Sequence, residues 1–411
     1  MSTIRPFKAI RPREDLASSV AALPYDVYNT AEARAEVERE PLSFLRIDRA
    51  ETQLPKGTDP YSDIVYKKAR EILESMISDG SFIQDDKPCF YIYALTMNGR
   101  TQNGIVGCAS IDDYISQVIL KHENTLEAKE QDRIRHVDTC SAQTGPIFLT
   151  YRPVAELKSV VSSIKRTPCL YDFTSSDGVR HQVWMTDDDS CIENISQLFA
   201  HVPHLYIADG HHRAASAVKA GLKRRAENPG FSGSEEYNYF LSVLFPSDEL
   251  CIYDYNRCVL EMNGYTKDAF LDKIKDGFDI TLADRASCRP GQKNEFGMYC
   301  GGSWYRLRAK PCLHSSDPVK GLDVSLLQDY VLGPVLGIED PKTDSRIRFI
   351  GGIRGLSALE KLADSCEGVA FAMHPTSMEE LLAVADAGML MPPKSTWFEP
   401  KLRSGLFIHR F

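Results

Sequence analysis

The sequence predicts an α+β protein of two or three lobes, on three observations. Stretches with strand character alternate with stretches of helical period along the whole chain. The length of 411 residues exceeds the ~250–300 residues that one hydrophobic core usually organises. No internal repeat or low-complexity tract interrupts the alternation, so disordered, collagen-like and coiled-coil classes are excluded.

Pro6, Pro12, Pro24 and Pro41 break the first fifty positions into short pieces. Leu23-Pro24-Tyr25-Asp26-Val27 reads as a loop entering a helix near Thr30, the expected N-cap. Ile64, Tyr66, Ala69, Ile72, Leu73, Met76 and Ile77 recur at helical spacing, and Gly80 ends that helix. Cys89–Met97 and Thr101–Ile111 flank Asn98-Gly99, a hairpin signal because both turn positions need positive φ. Asp112–Gly145 is polar and dense in titratable groups, and Ile147–Tyr151 reads as a strand. A helix, a hairpin at Asp177-Gly178 and a helix over Ile192–Ala200 come next. Leu205–Ala208 is a short buried strand, and a helix is expected through Ala220, with Gly221, Pro229 and Gly230 marking its end. Tyr239–Phe245 is a strand. The remainder alternates again, with a helix over Met378–Ala387 leading into Gly388 and Pro392-Pro393-Lys394-Ser395-Thr396.

Lys and Arg total 48 against 57 Asp and Glu, a net charge of −9, with 43% hydrophobic and 26% charged residues. An acidic chain without a basic cluster does not suit general nucleic-acid binding, which displaces counterions from phosphates with Lys and Arg. No apolar run reaches the ~18 residues of a membrane span, and MSTIRPFKAIRPRED lacks the apolar core of a signal peptide, so a cytoplasmic protein is expected. Eleven scattered cysteines, none spaced C-x2-C, read as buried thiols in a reducing compartment.

The most informative segment is Leu205–Ala214, LYIADGHHRA. A buried strand delivers Asp209-Gly210 to a tight turn, and a helix begins with His211-His212-Arg213. The first helical turn carries free N–H groups and the positive end of the dipole, so three potentially cationic side chains there run against the usual charge preference. An anionic ligand resolves the conflict: Gly210 lets it approach the backbone, Arg213 grips phosphate, the imidazoles donate to its oxygens, and Asp209 orients a histidine or a metal ion. The bland alternative has Asp209 capping the helix while the other side chains pack or face solvent.

Asp209-Gly210-His211-His212-Arg213 resembles the phosphate-binding motif of the ParB/sulfiredoxin-like fold, in the form found in the free L-serine kinases of archaea. Lys121-His122-Glu123 is similar to the short His-Glu motif upstream of the phosphate loop in those kinases. Gly368–Ala372 and Gly388 to Thr396 are similar to their tail. The whole chain also resembles a bacterial family known as domain of unknown function 1015. Its typical segments include Pro24-Tyr25-Asp26-Val27, Tyr255-Asn256-Arg257 and Phe398-Glu399-Pro400-Lys401-Leu402. The resemblance implies a ParB/sulfiredoxin-like mixed α/β core over residues 111–246, an N-terminal α/β lobe over 1–110 and a C-terminal α/β domain over 247–411 completing the cleft. It further implies phosphoryl transfer from ADP or ATP, with Mg²⁺, to the hydroxyl of free L-serine, giving O-phosphoserine, with Glu123 as general base. Between Glu123 and Asp209 lie 85 residues, an insertion that costs little in loop-closure entropy if it projects from the fold.

Phosphorylating a hydroxyl needs a carboxylate within hydrogen-bond reach of the O–H and cations around the transferred phosphate. Glu123 supplies the first, with His122 or Lys121 offsetting charge; the alternative is a solvated helix start capped by Asn124 or Thr125. Lys394, Ser395 and Thr396, behind two prolines, suit nucleotide phosphates or a substrate carboxylate, or simply cap the next element. Tyr25 and Asp26 are candidates to close the cleft, with Asp26 meeting an ammonium group. Walker, dinucleotide, nucleophile-elbow and H-E-x-x-H motifs are absent. Competing readings are a ParB-like nucleotide-binding or sensor protein without kinase activity and a metal-dependent phosphohydrolase using His201, His204, His211 and His212. Sulfiredoxin chemistry is excluded, because no cysteine falls between Cys191 and Cys251.

Overall fold

The Asn98-Gly99 turn, with φ of 52° and 78°, joins two neighbouring strands of the larger sheet. The computed structural model describes all 411 residues and divides them into two units, Met1–Leu250 with Pro400–Phe411, and Cys251–Glu399. The first holds a nine-stranded mixed sheet. Its strands are β1 (Ile4–Arg5), β2 (Phe90–Met97), β3 (Arg100–Ser110), β4 (Ile119–Leu120), β5 (Ile147–Tyr151), β6 (Tyr171–Thr174), β7 (Arg180–Thr186), β8 (Leu205–Asp209) and β9 (Tyr239–Pro246). They run in the order β4-β8-β5-β9-β3-β2-β7-β6, with β1 beside β3. The β8–β4 and β9–β5 pairs are parallel, and β8 and β5 are antiparallel with an irregularity between Ile207 and Asp209.

Helices α1 (Thr30–Arg39), α2 (Asp63–Ser78), α3 (Glu127–Cys140), α4 (Ala155–Ile164), α5 (Asp189–Ala200) and α6 (His211–Glu227) belong to this unit. Helix α1 is capped by Asn29 rather than Thr30, through a capping box with Glu32. One core joins sheet residues such as Ile92, Ile105, Leu149 and Ile207 to Leu157 of α4, Phe199 of α5 and Ala214, Ala217 and Val218 of α6. A second gathers the N-terminal segments around Ala69, Ile72 and Leu73 of α2 and includes Cys140 and Ile408.

Two expectations need correction. Residues 1–110 are not a lobe apart: β1, β2 and β3 lie in the same sheet as β8 and β9, and the first unit runs to Leu250. Helix α6 also does not stop at Ala220 but continues to Glu227, so of the three residues expected to mark its end Pro229 and Gly230 lie beyond it and Gly221 does not. Gly221 lies inside it because a Cβ there would come within 2.4 Å of the Tyr237 carbonyl oxygen, so this glycine permits close packing rather than ending a helix.

The second unit carries a six-stranded antiparallel sheet of β10 (Tyr255–Val259), β11 (Phe278–Ala283), β12 (Glu295–Cys300), β13 (Ser303–Ala309), β14 (Ile347–Gly351) and β15 (Val369–Met373). Their order is β11-β13-β12-β15-β10-β14. Helix α7 (Leu356–Cys366) packs Leu356, Leu359 and Ala363 onto this sheet. The chain then returns to the first unit: Ser404 bridges Ala22, Ile408 bridges Ile10, and His409 pairs with Gln143. All eleven cysteines are free thiols. No helix is long and apolar enough to cross a membrane.

Candidate functional site

Strand β8 is buried from Leu205 through Ala208 and emerges at Asp209. Gly210 then adopts φ 93° and ψ 31°, a left-handed conformation that turns the chain into α6. No side chain caps α6, so the first-turn amides keep their donors for another acceptor. Arg213 Nη1 donates to the Pro146 carbonyl, which holds the guanidinium over the turn; a Cβ on Gly210 would lie 3.0 Å from Arg213 Nη2. Asp209 does not cap the helix. Its Oδ1 accepts the Gly210 N–H at 2.8 Å, and its Oδ2 meets Lys401 Nζ at 3.1 Å. Burial works to raise the Asp209 pKa, but Lys401 and Arg213 outweigh it and hold the carboxyl well below the usual carboxylate range.

The segment before α3 is tied to this turn through two imidazoles. The His122 backbone N–H donates to His211 Nε2 at 3.4 Å, and the Leu126 N–H donates to His212 Nε2 at 2.9 Å. An accepting Nε2 assigns the ring proton to Nδ1 in each case. His211 Nδ1 lies 4.0 Å from the Glu123 carboxylate, so Glu123 reaches the turn despite the 85 residues between it and Asp209. The side chain of His211 is 6% exposed and that of Glu123 30%, leaving the carboxylate in contact with solvent.

The histidines are not the cations that the sequence pattern suggests. Burial, reinforced by His122, pushes the His211 pKa well below its ordinary value. Burial likewise brings His122 down to about 4. The two rings meet edge to face, with centroids 4.5 Å apart, and neither His122 ring nitrogen has a hydrogen-bond partner. His122 therefore contributes no positive charge at neutral pH; Arg213 and Lys401 are the cations at the turn itself, and Lys121 acts on His211 from further out.

Helix α3 continues from the Glu123 segment and lies along α6. Its Glu130 carboxylate pairs with Lys219, its Glu130 carbonyl accepts the Ser216 hydroxyl at 3.2 Å, and its Asp138 meets Arg224 at 2.9 Å. The charged run on α3 is thus only partly a solvated face: Glu130, Arg133 and His136 are buried. Tyr25 sits in a 3-10 turn, Tyr25–Val27, with the Arg133 guanidinium 4.2 Å from its ring centroid. Burial pushes the Tyr25 phenol up to about 12. Asp26 is exposed.

Lys394, Ser395 and Thr396 belong to the second unit. Lys394 has φ 60°, and its carbonyl accepts from Arg257 Nη2 at 3.0 Å. The buried Ser395 hydroxyl donates to the Pro392 carbonyl at 2.6 Å, which gives it a role inside the turn. Lys401 is the residue that sequence reasoning missed as a site group. It stands 192 positions from its partner Asp209, and no local pattern links the two.

The family model described as "Protein of unknown function (DUF1015)" matches residues 4–325. No curated protein sequence matches the chain. Among solved structures, a free serine kinase in complex with AMP is similar at 14% identity and a TM-score of 0.35, covering 74% of this chain and 92% of that one. SbnI with a C-terminal truncation, from Staphylococcus aureus, is similar at 11% identity and a TM-score of 0.39, covering 73% and 85%. A conserved hypothetical protein from Pyrococcus furiosus is similar at 12% identity and a TM-score of 0.35, covering 74% and 94%.

Proposed function

The chain belongs to the DUF1015 family, and we propose that it is a phosphotransferase that moves a phosphoryl group from ADP or ATP to the hydroxyl of free L-serine. One observation carries this reading: the Glu123 carboxylate lies 4.0 Å from His211 Nδ1, beside an uncapped helix start where Arg213 and Lys401 converge. A base for an alcohol and a cradle for phosphate are the two things phosphoryl transfer asks of a protein. The resemblance of Asp209–Arg213 and Lys121–Glu123 to the serine kinases supports the same reading.

In this mechanism the nucleotide's terminal phosphate docks on the first-turn amides of α6, with Arg213 and Lys401 balancing its charge. Glu123 accepts the serine hydroxyl proton as the alkoxide-like oxygen forms its bond to phosphorus. The bond from phosphorus to the bridging oxygen breaks, and AMP or ADP leaves with the electron pair. Neutral His211, with its proton on Nδ1, faces the Glu123 carboxylate from 4.0 Å and orients it toward the turn. Magnesium fits this donor set as an ion carried in on the phosphates. Asp209 offers a hard oxygen at the turn, whereas no group of three His, Cys, Asp or Glu side chains converges to hold an ion alone. Bound there, the ion would supply charge neutralisation on the phosphate oxygens.

The test is incubation of the purified protein with Mg²⁺, L-serine and either ADP or ATP, with mass spectrometry for O-phosphoserine. Product with one donor is expected. Its absence with both donors, across other hydroxy amino acids too, rejects the assignment.

A further inference from the structure

Helix α1 and two chain segments beside it, at Pro41–Arg46 and Thr52-Gln53, border an open hollow of about 250 Å³ in the first unit. None of its lining residues belongs to the phosphate turn, to the Glu123 segment or to the surroundings of Tyr25. Two half-buried arginines line it, and both bond to carbonyl oxygens alone. Arg34 Nη1 donates to Thr52 at 3.0 Å, and its Nη2 donates to Glu51 at 2.6 Å and Leu54 at 3.1 Å. Arg46 Nη1 donates to the Pro41 carbonyl at 2.9 Å, while its Nε is buried without an acceptor. Two carboxylates face them. Glu38, one turn beyond Arg34 on α1, is exposed on the rim. Asp79 attracts Arg46 from longer range and accepts the Ser81 N–H at 2.8 Å. Neither makes an ion pair with Arg34 or Arg46, whose bonds are the four to carbonyls. Glu38 swung onto Arg34 would form a weak surface pair and leave Arg46 Nε as it is. Carbonyl dipoles alone compensate two cations on one hollow poorly, and a buried N–H without an acceptor is costly.

We propose that this hollow is a second ligand site, for a small organic phosphate monoester whose dianion lies between Arg34 and Arg46. Guanidinium is the side-chain donor best matched to phosphate, because its parallel N–H groups bond two oxygens at once. Two guanidinium groups balance the two charges of a monoester, where a monocarboxylate leaves one of them without a counter-charge. The space exceeds what a free phosphate ion fills, so the ligand carries a short carbon skeleton. Val37 and Pro41 form its apolar wall, and the Thr52 hydroxyl and Gln53 amide are the remaining polar groups that line the space. The site gives the N-terminal segments a role that phosphoryl transfer at Glu123 leaves unassigned, and it does not depend on that transfer.

The test is isothermal titration calorimetry of the full chain without nucleotide, using glycerol 3-phosphate, glucose 6-phosphate, inorganic phosphate, succinate and acetate. At least one of the two monoesters is expected to bind at one per chain, more tightly than inorganic phosphate, succinate or acetate. Arg46→Gln should weaken that binding by at least about tenfold, the loss of one charge-assisted bond. Glu38→Gln, which removes the carboxylate on the rim, should bind at least as tightly as the parent, and Arg213→Ala should leave the binding unchanged. Should Arg46→Gln fail to fold, Gln53→Glu brings a negative charge to the hollow and should weaken binding in its place. No binding by either monoester, succinate bound more tightly than both, weaker binding in Glu38→Gln, or binding unaltered in Arg46→Gln and Gln53→Glu overturns the proposal. So does binding lost in Arg213→Ala and kept in Arg46→Gln, which would locate the ligand at the start of α6. Phosphoserine formation is measured separately, so the two readings fail independently.

Discussion

Gly210→Ala puts the phosphate turn under direct test. At φ 93° and ψ 31° an alanine is held in left-handed backbone, which costs about 1–2 kcal/mol. Its Cβ would lie 3.0 Å from Arg213 Nη2 and 3.1 Å from Cζ, so the guanidinium must give by a few tenths of an ångström and leaves the position from which it faces the turn. If Arg213 contributes one charge-assisted bond to phosphate, losing it costs about 1.5–3 kcal/mol, roughly a 10- to 150-fold rise in the Kd for ADP. Calorimetric titration with ADP measures that rise, and thermal unfolding, expected to fall by a few degrees, measures the backbone cost. Gly221→Ala is the control. Its Cβ would press on the Tyr237 carbonyl at 2.4 Å and Ile111 Cδ1 at 2.9 Å, destabilising by about 1–3 kcal/mol through overpacking while leaving ADP affinity alone. An alanine at position 210 that folds normally and binds ADP with parental affinity would refute the cradle.

Glu123→Gln should lower phosphoserine formation by about 10²–10⁴-fold, the usual worth of a general base, with the Kd for ADP unchanged; near-normal turnover would remove Glu123 from the role of base. Lys401→Met should raise the Asp209 titration midpoint, followed by carbon NMR of the carboxyl, because burial then acts without the opposing ammonium. The sign follows from linkage. A folded pKa below the unfolded value means the Asp209 contribution is present above the ordinary carboxylate pKa and is lost as pH falls through the lowered one. An unmoved midpoint would show that Lys401 does not hold the carboxylate. His122, pushed down to about 4 by burial, and His181, pushed down to about 3 by burial and Arg403, stay neutral in the fold but titrate near 6.5 when unfolded. Their contribution is fully present above that value and lost between pH 6.5 and the folded pKa, so Tm should drop steeply from pH 7 to 4. His122→Leu should flatten the drop by up to on the order of 3 kcal/mol, and an identical Tm profile in the variant would refute the assignment.

Local rules found much of this molecule. Asn98-Gly99 announced its hairpin because positive φ at two consecutive positions leaves few other options. The strand-turn-helix at 205–213 was legible because a buried β8, a flexible Gly210 and good helix formers agree. Failures came where packing between distant segments decides. Gly221 looks like a stop signal until the Tyr237 carbonyl crosses its face. Glu130, Arg133 and His136 fall in a stretch whose sequence shows only that it is polar and dense in titratable groups, yet α6 and the N-terminal segments cover them. Lys401 is invisible as a site residue because the strap carrying it is anchored elsewhere, by Ser404 on Ala22, Ile408 on Ile10 and Arg403 on Ser175.

The charge balance of the turn follows from these long-range placements rather than from the local pattern. Read alone, His211-His212-Arg213 is a basic cluster waiting for an anion. In the fold His211 is neutral by burial and His212 accepts a backbone N–H on Nε2, which leaves Arg213 and Lys401, with Lys121 further out, against two carboxylates, Asp209 and Glu123. The turn therefore carries no more than about one net positive charge before any ligand arrives. A terminal phosphate adds up to two negative charges, and the first-turn amides supply dipoles rather than a full compensating charge. A nucleotide that brings its own divalent cation meets that deficit, and Asp209, recessed yet still one-third exposed, is the oxygen ligand beside the place where the deficit falls.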